Sequence, residues 1–432
     1  MTKHYQIKLF PNSLKGNIKV PPSKSLSHRA LICAALANGR SEISNVMLSE
    51  DIKTTIEALE HLGAKFDIRQ DTIIVTGVKK LKYDNDPVYC NESGSTIRFL
   101  IPLFSLTNKE IEFTGKESLI NRPQTIYKKI FDHDQNKFIK EDNRIMVKGS
   151  IKPRDYFVDG NVSSQFFSGL MFSLPLLKGD SNIYYNGSLE SKSYIDLTIE
   201  MLELFNIEIQ EIENGYFIPG NQVYKPRKYR VEGDYSQAAF FLVGGILNGL
   251  VQIDDLNHES NQGDYEIVNI IKHMKGKIIF TENGFITKQS KTHGTTIDVS
   301  DCPDLGPIIA LLGSLSKGTT TMTNIQRLRL KESDRVESTV NTLKALGANI
   351  AVKDNQIIIH GKQSLVGGVT LDSYNDHRIA MMISIASTRC EKPITLTTAN
   401  AVNKSYPHFY EDFISLGGNI EIKEWSYEEA RS

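Results

Sequence analysis

Apolar and polar positions along this chain follow two rhythms that take turns. In one, helix-spaced apolar residues run into a strand-spaced alternation with a turn signal at its middle. LEHLGAKFDIRQDTIIVTG (59–77), LELFNIEIQEIENGYFIPG (202–220) and LKALGANIAVKDNQIIIHG (343–361) share it; 128–149, 271–288 and 413–424 are weaker copies. Their tips, such as Glu-Asn-Gly and Lys-Asp-Asn, join apolar and β-branched runs, the pattern of a hairpin. In the other rhythm a short strand leads through a polar head into an apolar helix and a second strand. Copies begin near Ile18, Val88, Phe157, Arg230, Thr296 and Val369, at intervals of 70, 69, 73, 66 and 73 residues. Interleaved, the two rhythms predict a β-α-β-α-β-β unit of about 72 residues, repeated six times over the 432-residue chain.

A unit of this size cannot bury both faces of its helices alone, so units must pack on one another. Helices such as FFSGLMFSLPLL (166–177) and PIIALLGSL (307–315) are apolar all round and should be buried. Others, such as SEDIKTTIEALEHLG (49–63), are amphipathic and should face solvent on one side. Six units divide naturally into two domains of three. Proline interrupts the pattern at Val20–Pro21–Pro22 and in VYKPRKYR (223–230), which predicts two chain crossings there. One domain is then 21–229, and the other combines 1–20 with 230–432. Two crossings also suit a hinge.

The polar heads are PSKSLSHR (22–29), CNESGSTIR (90–98), VSSQF (162–166), EGDYSQ (232–237), SDCPDLG (300–306) and DSYNDHR (372–378). Each lies between a strand and the start of a buried helix, where free amides and a positive dipole end favour an anion. Quasi-symmetric packing would aim these ends into one cleft between the domains. Yet Lys24, Arg29, Arg98 and Arg378 stand in or beside first turns, where a cation without a partner is disfavoured. An anionic ligand resolves the conflict; surface salt bridges are the plain alternative. RLRLKESDR (327–335) adds Arg327, Arg329, Lys331 and Arg335, NRP (121–123) adds Arg122, and NKSYP (403–407) adds Lys404. Lys331 and Arg335 would repel one another at i,i+4 of a helix without an anion. So many cations imply more than one anionic group, hence two small anionic substrates.

Global charge says little more. Net charge is −1 with 23% charged and 40% hydrophobic residues, so nothing points to nucleic acid or a membrane surface. No secretory signal and no 18-residue apolar run is seen, and Cys33, Cys90, Cys302 and Cys390 form no CxxC. A reduced, cytoplasmic protein with its thiols in the core is expected, although Cys90 and Cys302 lie near the motifs.

For acid–base work two carboxylates stand out. Asp304 follows Pro303 before an apolar helix with little else polar nearby, and burial there should raise its pKa toward that of a general base. Glu332 sits among cations and should stay ionised unless a substrate intervenes. Their plain alternatives are an N-cap aspartate and a salt-bridged glutamate. His377 could move protons or serve as a structural hydrogen bonder. P-loop, GxGxxG, HExxH and Ser-His-Asp signatures are absent from the sequence.

The ordered set SKSLSHRALICAALA, ESGSTIRFL, NRP, VSSQF, SKSYIDLT, CPD, RLKESDR, NDHRIAM and NKSYPHF resembles the EPSP synthase (3-phosphoshikimate 1-carboxyvinyltransferase) family over nearly the whole chain. The resemblance implies an α/β fold of two domains, an inside-out α/β barrel or prism built from six βαβαββ repeats. It implies transfer of the enolpyruvyl group of phosphoenolpyruvate to the 5-hydroxyl of shikimate 3-phosphate, in chorismate and aromatic amino acid synthesis, by a monomer without metal or organic cofactor. The N-terminal lobe would serve shikimate 3-phosphate. The C-terminal lobe would serve phosphoenolpyruvate and the proton transfers.

By the same resemblance, Lys24 touches phosphoenolpyruvate beside the shikimate ring, and Ser25 and Arg29 hold that ring and its carboxylate. Ser163, Ser164 and Ser191 hold the 3-phosphate, Gln165 touches both substrates, and Tyr194 lies on the shikimate side. Gly94, Arg122, Arg335, Arg378 and Lys404 surround phosphoenolpyruvate. Asp304 takes the 5-hydroxyl proton with Lys331 beside it, and Glu332 serves the methylene carbon. Two positions depart from the common pattern: Glu92, where many members have Asn, and Arg327, where Asn is also common. The rivals are an enolpyruvyl transferase acting on UDP-N-acetylglucosamine, which would want a cysteine near 110–122, an RNA 3′-phosphate cyclase, and a non-catalytic anion-binding protein.

Overall fold

A computed structural model describes residues 4–425. Among these, the strands form six four-stranded sheets of one topology and one two-stranded sheet. In Val88–Lys148 the first strand, Val88–Tyr89, pairs in parallel with Glu110–Thr114. Arg144–Lys148 then lies antiparallel to Glu110–Thr114, and Lys137–Lys140 closes the edge. The same order recurs from Asp155–Asp159 to Gly215–Ile218 and from Thr296–Asp298 to Gln356–His360. Parallel neighbours need a crossover helix, and the apolar helices supply it.

The chain divides into two compact units, one of Pro22–Glu232 and one of the described residues up to Pro21 with those from Gly233 on. Each has its own apolar core. The second crossing therefore falls three residues beyond 229, because Lys228–Arg230 pairs in parallel with Arg40–Ser44 of the Pro22–Glu232 unit. In turn Leu14–Lys19 pairs with Gly249–Asp254 of the other unit. The strands read from sequence as openers of the first and fourth repeats thus each serve the other repeat's sheet.

The six inner helices are Lys24–Leu36, Gly94–Ser105, Ser164–Ser173, Tyr235–Asn248, Gly306–Ser314 and His377–Ser387. Helix Gly306–Ser314 is buried throughout, as its unbroken apolar run requires. It touches both Tyr235–Asn248 and His377–Ser387, which also touch each other. The predicted helix 166–177 ends instead at Ser173 and continues as a 3₁₀ turn, Leu174–Leu176, where Pro175 removes an amide. Helix Glu50–Glu60 buries Ile52, Ile56 and Leu59 on one face, as its amphipathic pattern predicts.

Pro102 interrupts the hydrogen bonding of helix Gly94–Ser105 and leaves the Arg98 carbonyl without an amide. The Tyr127 hydroxyl donates to that carbonyl instead. Gly169 lies against the same spot, where a Cβ would stand 2.3 Å from both the carbonyl and the hydroxyl. Helices Gly94–Ser105 and Ser164–Ser173 approach closely there because residue 169 has no side chain.

All four cysteines are free and buried. Burial pushes the Cys33, Cys90 and Cys302 thiols up, and Cys390 to about 12, so none is a ready nucleophile. Among the described residues, no helix is long and apolar enough to cross a membrane.

Candidate active site

Caps differ between the units. In Pro22–Glu232 the inner helices are capped by neutral serines: Ser23 accepts from the Leu26 amide, Ser93 from Thr96 and Ser163 from Gln165. No acid stands in their first turns, so the positive end of each helix stays uncompensated by its own residues. In the other unit Asp234 and Asp376 cap their helices. Helix Gly306–Ser314 follows a 3₁₀ turn that carries Asp304.

In the Pro22–Glu232 unit, Gly94, Arg122 and Gln165 meet. A Cβ on Gly94 would lie 2.8 Å from Arg122 Nη1 and 3.5 Å from Gln165 Oε1. Gln165 accepts from Arg98 Nη1 at 3.0 Å and donates to Ser95 Oγ at 3.0 Å. Ser163 donates to Gln165 Oε1 at 3.4 Å, and Ser164 opens the helix. The turn carrying Ser191 packs on the same edge, since the Glu190 amide donates to the Gly160 carbonyl. Ser191 itself adopts φ 55°, in the left-handed region.

Lys24 and Arg29 are engaged from within. Lys24 Nζ pairs with Asp51 Oδ2 at 2.9 Å, both side chains largely covered. Arg29 donates at 2.8 Å to Thr198 Oγ1, the Ser25 carbonyl and the Tyr194 carbonyl, so it also ties helix Lys24–Leu36 to helix Lys192–Leu204. Burial lowers its pKa to about 10, so it remains a cation at neutral pH. Nearby, His28 Nδ1 lies 2.8 Å from Thr55 Oγ1, which shares a 2.6 Å hydrogen bond with Thr96. Glu92 pairs with Lys116 at 3.6 Å and accepts from Ser118.

In the other unit the polar residues converge on Asp304. Lys331 Nζ and Arg335 Nη1 lie 3.0 and 2.8 Å from Asp304 Oδ1, and Arg378 Nη2 lies 3.0 Å from Oδ2. Arg378 also donates to the Ser236 hydroxyl and carbonyl. Arg335 is fully buried and divides its guanidinium among Asp304, Glu332 and Asp376. Lys404 donates to the Asn375 carbonyl. Arg327 is buried in the 3₁₀ helix Ile325–Leu330, and His377 is buried in the first turn of its helix.

Two expectations are corrected here. Asp304 is not in apolar surroundings. Burial works to raise its carboxyl, but Arg378, Lys331 and Arg335 outweigh it and hold the group well below the usual carboxylate range. Lys331 and Arg335 do not share a helix: the helix begins at Arg335, and Lys331 lies before it. Both point at Asp304 Oδ1, which removes their repulsion. Burial lowers the Lys331 pKa, although Asp304 opposes this. Burial also opposes the Arg335 cation, but Asp376, Glu332 and Asp304 more than offset it and raise its pKa above the ordinary value.

Sequence reasoning missed Asp51, Asp376 and Ser236 as partners of the cations. Asp51 reads as an ordinary first-turn acid. Asp376 had a signal, since it stands directly before His377 and Arg378 at the start of a buried helix.

The EPSP synthase (3-phosphoshikimate 1-carboxyvinyltransferase) family model matches residues 10–413. A protein of Clostridium novyi named 3-phosphoshikimate 1-carboxyvinyltransferase is 47% identical, over 97% of this chain and 99% of that relative. The solved EPSP synthase of Acinetobacter baumannii superposes with a TM-score of 0.81 at 25% identity, covering 97% of this chain and 100% of that one. The enolpyruvyl transferase NikO of Streptomyces tendae shares the fold, with a TM-score of 0.78 at 14% identity and coverage of 99% and 100%. With matches of this length and identity, the chain belongs to the EPSP synthase (3-phosphoshikimate 1-carboxyvinyltransferase) family.

Proposed function

We propose that the chain transfers the enolpyruvyl group of phosphoenolpyruvate to the 5-hydroxyl of shikimate 3-phosphate and releases phosphate. It acts as a cytoplasmic monomer on two small anionic substrates, with no metal or organic cofactor. The observation that carries this reading is the Asp304 carboxylate, gripped on Oδ1 by Lys331 and Arg335 and on Oδ2 by Arg378. A receptor for anions gains nothing from a carboxylate among its cations. An enzyme that must take a proton beside an anionic substrate does.

The roles divide by unit. In Pro22–Glu232, Ser163, Ser164 and Ser191 hold the 3-phosphate with hydroxyls and helix-end amides. Ser25, Arg29 and Tyr194 hold the shikimate ring and its carboxylate. Lys24, Gly94, Arg122 and Gln165 receive phosphoenolpyruvate. Gly94 lets the ligand and Arg122 approach the backbone. In the other unit Arg335, Arg378 and Lys404 serve the phosphoenolpyruvate anion, Lys331 bonds the 5-hydroxyl region, and Asp304 and Glu332 move protons.

The 5-oxygen adds to C2 of phosphoenolpyruvate, its proton passes to Asp304, and C3 gains a proton from the Glu332 side. The product is a tetrahedral ketal phosphate. In the second half C3 gives back a proton, the C2–O bond to phosphate breaks, and phosphate leaves into the cations. Asp304 is ionised throughout the neutral range and so can accept. Its cations make it a weak base, however. Substrate phosphate and carboxylate groups compete for Lys331 and Arg378, and that competition restores basicity when both substrates are bound.

The test is phosphate release in a mixture of phosphoenolpyruvate and shikimate 3-phosphate. Release should require both. Release with UDP-N-acetylglucosamine in place of shikimate 3-phosphate would overturn the reading.

A further inference from the structure

We infer that Asp376 is a positioning residue for the reaction: it fixes, in one geometry, the two arginines that grip the two oxygens of Asp304. The inference rests on the reading of Asp304 as the proton acceptor. Asp376 has no exposed surface. Its Oδ1 accepts the Arg378 amide at 2.9 Å, which caps helix His377–Ser387, and Arg335 Nη2 at 3.2 Å. Its Oδ2 accepts Arg335 Nε at 2.8 Å and the Ser333 hydroxyl at 3.0 Å.

A cap alone needs one oxygen and no charge, and Asn caps a helix as well as Asp does. The second oxygen and the buried charge therefore serve something else. A buried ion pair adds little net stability over an apolar pair, because both ions lose their water, so stability does not account for it either. What the pair does is geometric. Arg335 reaches Asp304 Oδ1 with Nη1 while Nε is pinned on Asp376. Arg378 reaches Asp304 Oδ2 from a helix start that the same carboxylate caps. Glu332 pairs with Arg335 Nη2, the nitrogen that also donates to Asp376 Oδ1, so Asp376 positions both Asp304 and Glu332 through a single guanidinium. Tyr374 and Asn375, both at positive φ, lead the chain into Asp376.

The experiment is D376N, which keeps the shape and the cap, alone and combined with R335K, beside D376E and D304N. The D376N protein, in which Arg335 keeps Asp304 and Glu332 as partners, should stay folded at assay temperature with a lowered Tm, and should bind shikimate 3-phosphate, whose ring and 3-phosphate contacts are proposed on the other unit, within about twofold. Its KM for shikimate 3-phosphate should stay within about threefold, while kcat falls about 30- to 100-fold, the scale of a displaced catalytic group. D376E should recover part of that loss. Because the effect runs through Arg335, adding D376N to R335K should lower kcat by less than about threefold more. A D376N kcat within threefold of wild type would overturn the inference. So would a loss that multiplies in full with that of R335K, or one that merely tracks the unfolded fraction. If D304N retains turnover, the reading of Asp304 fails instead; if D304N loses turnover and D376N does not, only the present inference fails.

Discussion

Arg122 Nη1 lies 2.8 Å from the point where a Cβ on Gly94 would stand. The first residue of helix Gly94–Ser105 is thus bare because an arginine occupies the space beside it. Gly94→Ala should push the far end of Arg122 aside at little cost in stability. The Tm should hold, the KM for phosphoenolpyruvate should rise about tenfold, and the shikimate 3-phosphate Kd should stay within about twofold. Steady-state kinetics and calorimetry on the one variant read all three.

Removing the charge of Asp304 should separate binding from turnover. In Asp304→Asn the cations Lys331, Arg335 and Arg378 lose the carboxylate they share. Turnover should fall by about 10²–10⁴ as the proposed proton acceptor is lost. Phosphoenolpyruvate, itself an anion, should bind more tightly than to wild type, and shikimate 3-phosphate nearly as before. Weaker phosphoenolpyruvate binding by calorimetry would contradict the electrostatic account.

Lys24 reaches its position through Asp51, 2.9 Å away. Lys24→Ala should weaken phosphoenolpyruvate binding more than shikimate 3-phosphate binding. Asp51→Asn leaves the cation but frees its direction, and should lower kcat/KM for phosphoenolpyruvate about tenfold. An improved kcat/KM would mean that Asp51 competes with the substrate rather than aiming the lysine.

Tyr127→Phe removes the donor that serves the Arg98 carbonyl next to Pro102. A buried carbonyl without a donor costs about 1–3 kcal/mol. Denaturant unfolding should show that loss, with kcat nearly unchanged.

His28 supplies a pH dependence. Burial first, then Lys24 and Arg29, hold its pKa well below 6.5 in the folded state. The unfolded chain therefore binds the extra proton as pH falls below about 6.5, and stability drops by up to ~1.4 kcal/mol per pH unit from this group. Above 6.5 the contribution is complete. His28→Gln should flatten Tm against pH between about 7 and 5; an unchanged slope would remove His28 as the cause.

The repeat was legible because each unit must bury an apolar helix and end in a hairpin, and both demands are written locally. Hence helices such as Gly306–Ser314 fall where their apolar runs lie. Which sheet receives a strand was not legible. Leu14–Lys19 and Lys228–Arg230 carry no local mark of their partners, since parallel pairing is settled by distant chain. The cations that gather around Asp304 could be named from the sequence, but their sharing of its carboxylate could not. Lys331 stands 27 positions from Asp304, and Arg378 stands 74. Only folding reveals that both point at it, and the depressed pKa of Asp304 follows from that convergence.

The two N-terminal strands part company. His4–Phe10 runs between Ile394–Thr397 and Asn419–Trp425, while Leu14–Lys19 edges the sheet of Gly249–Asp254. During synthesis both strands leave the ribosome before any of their partners is made. Pro22–Glu232, an uninterrupted insertion, can fold while they wait, whereas the sheet holding His4–Phe10 closes only after Asn419–Trp425 has been translated. His4–Phe10 is thus held in reserve for a strand some 400 residues downstream.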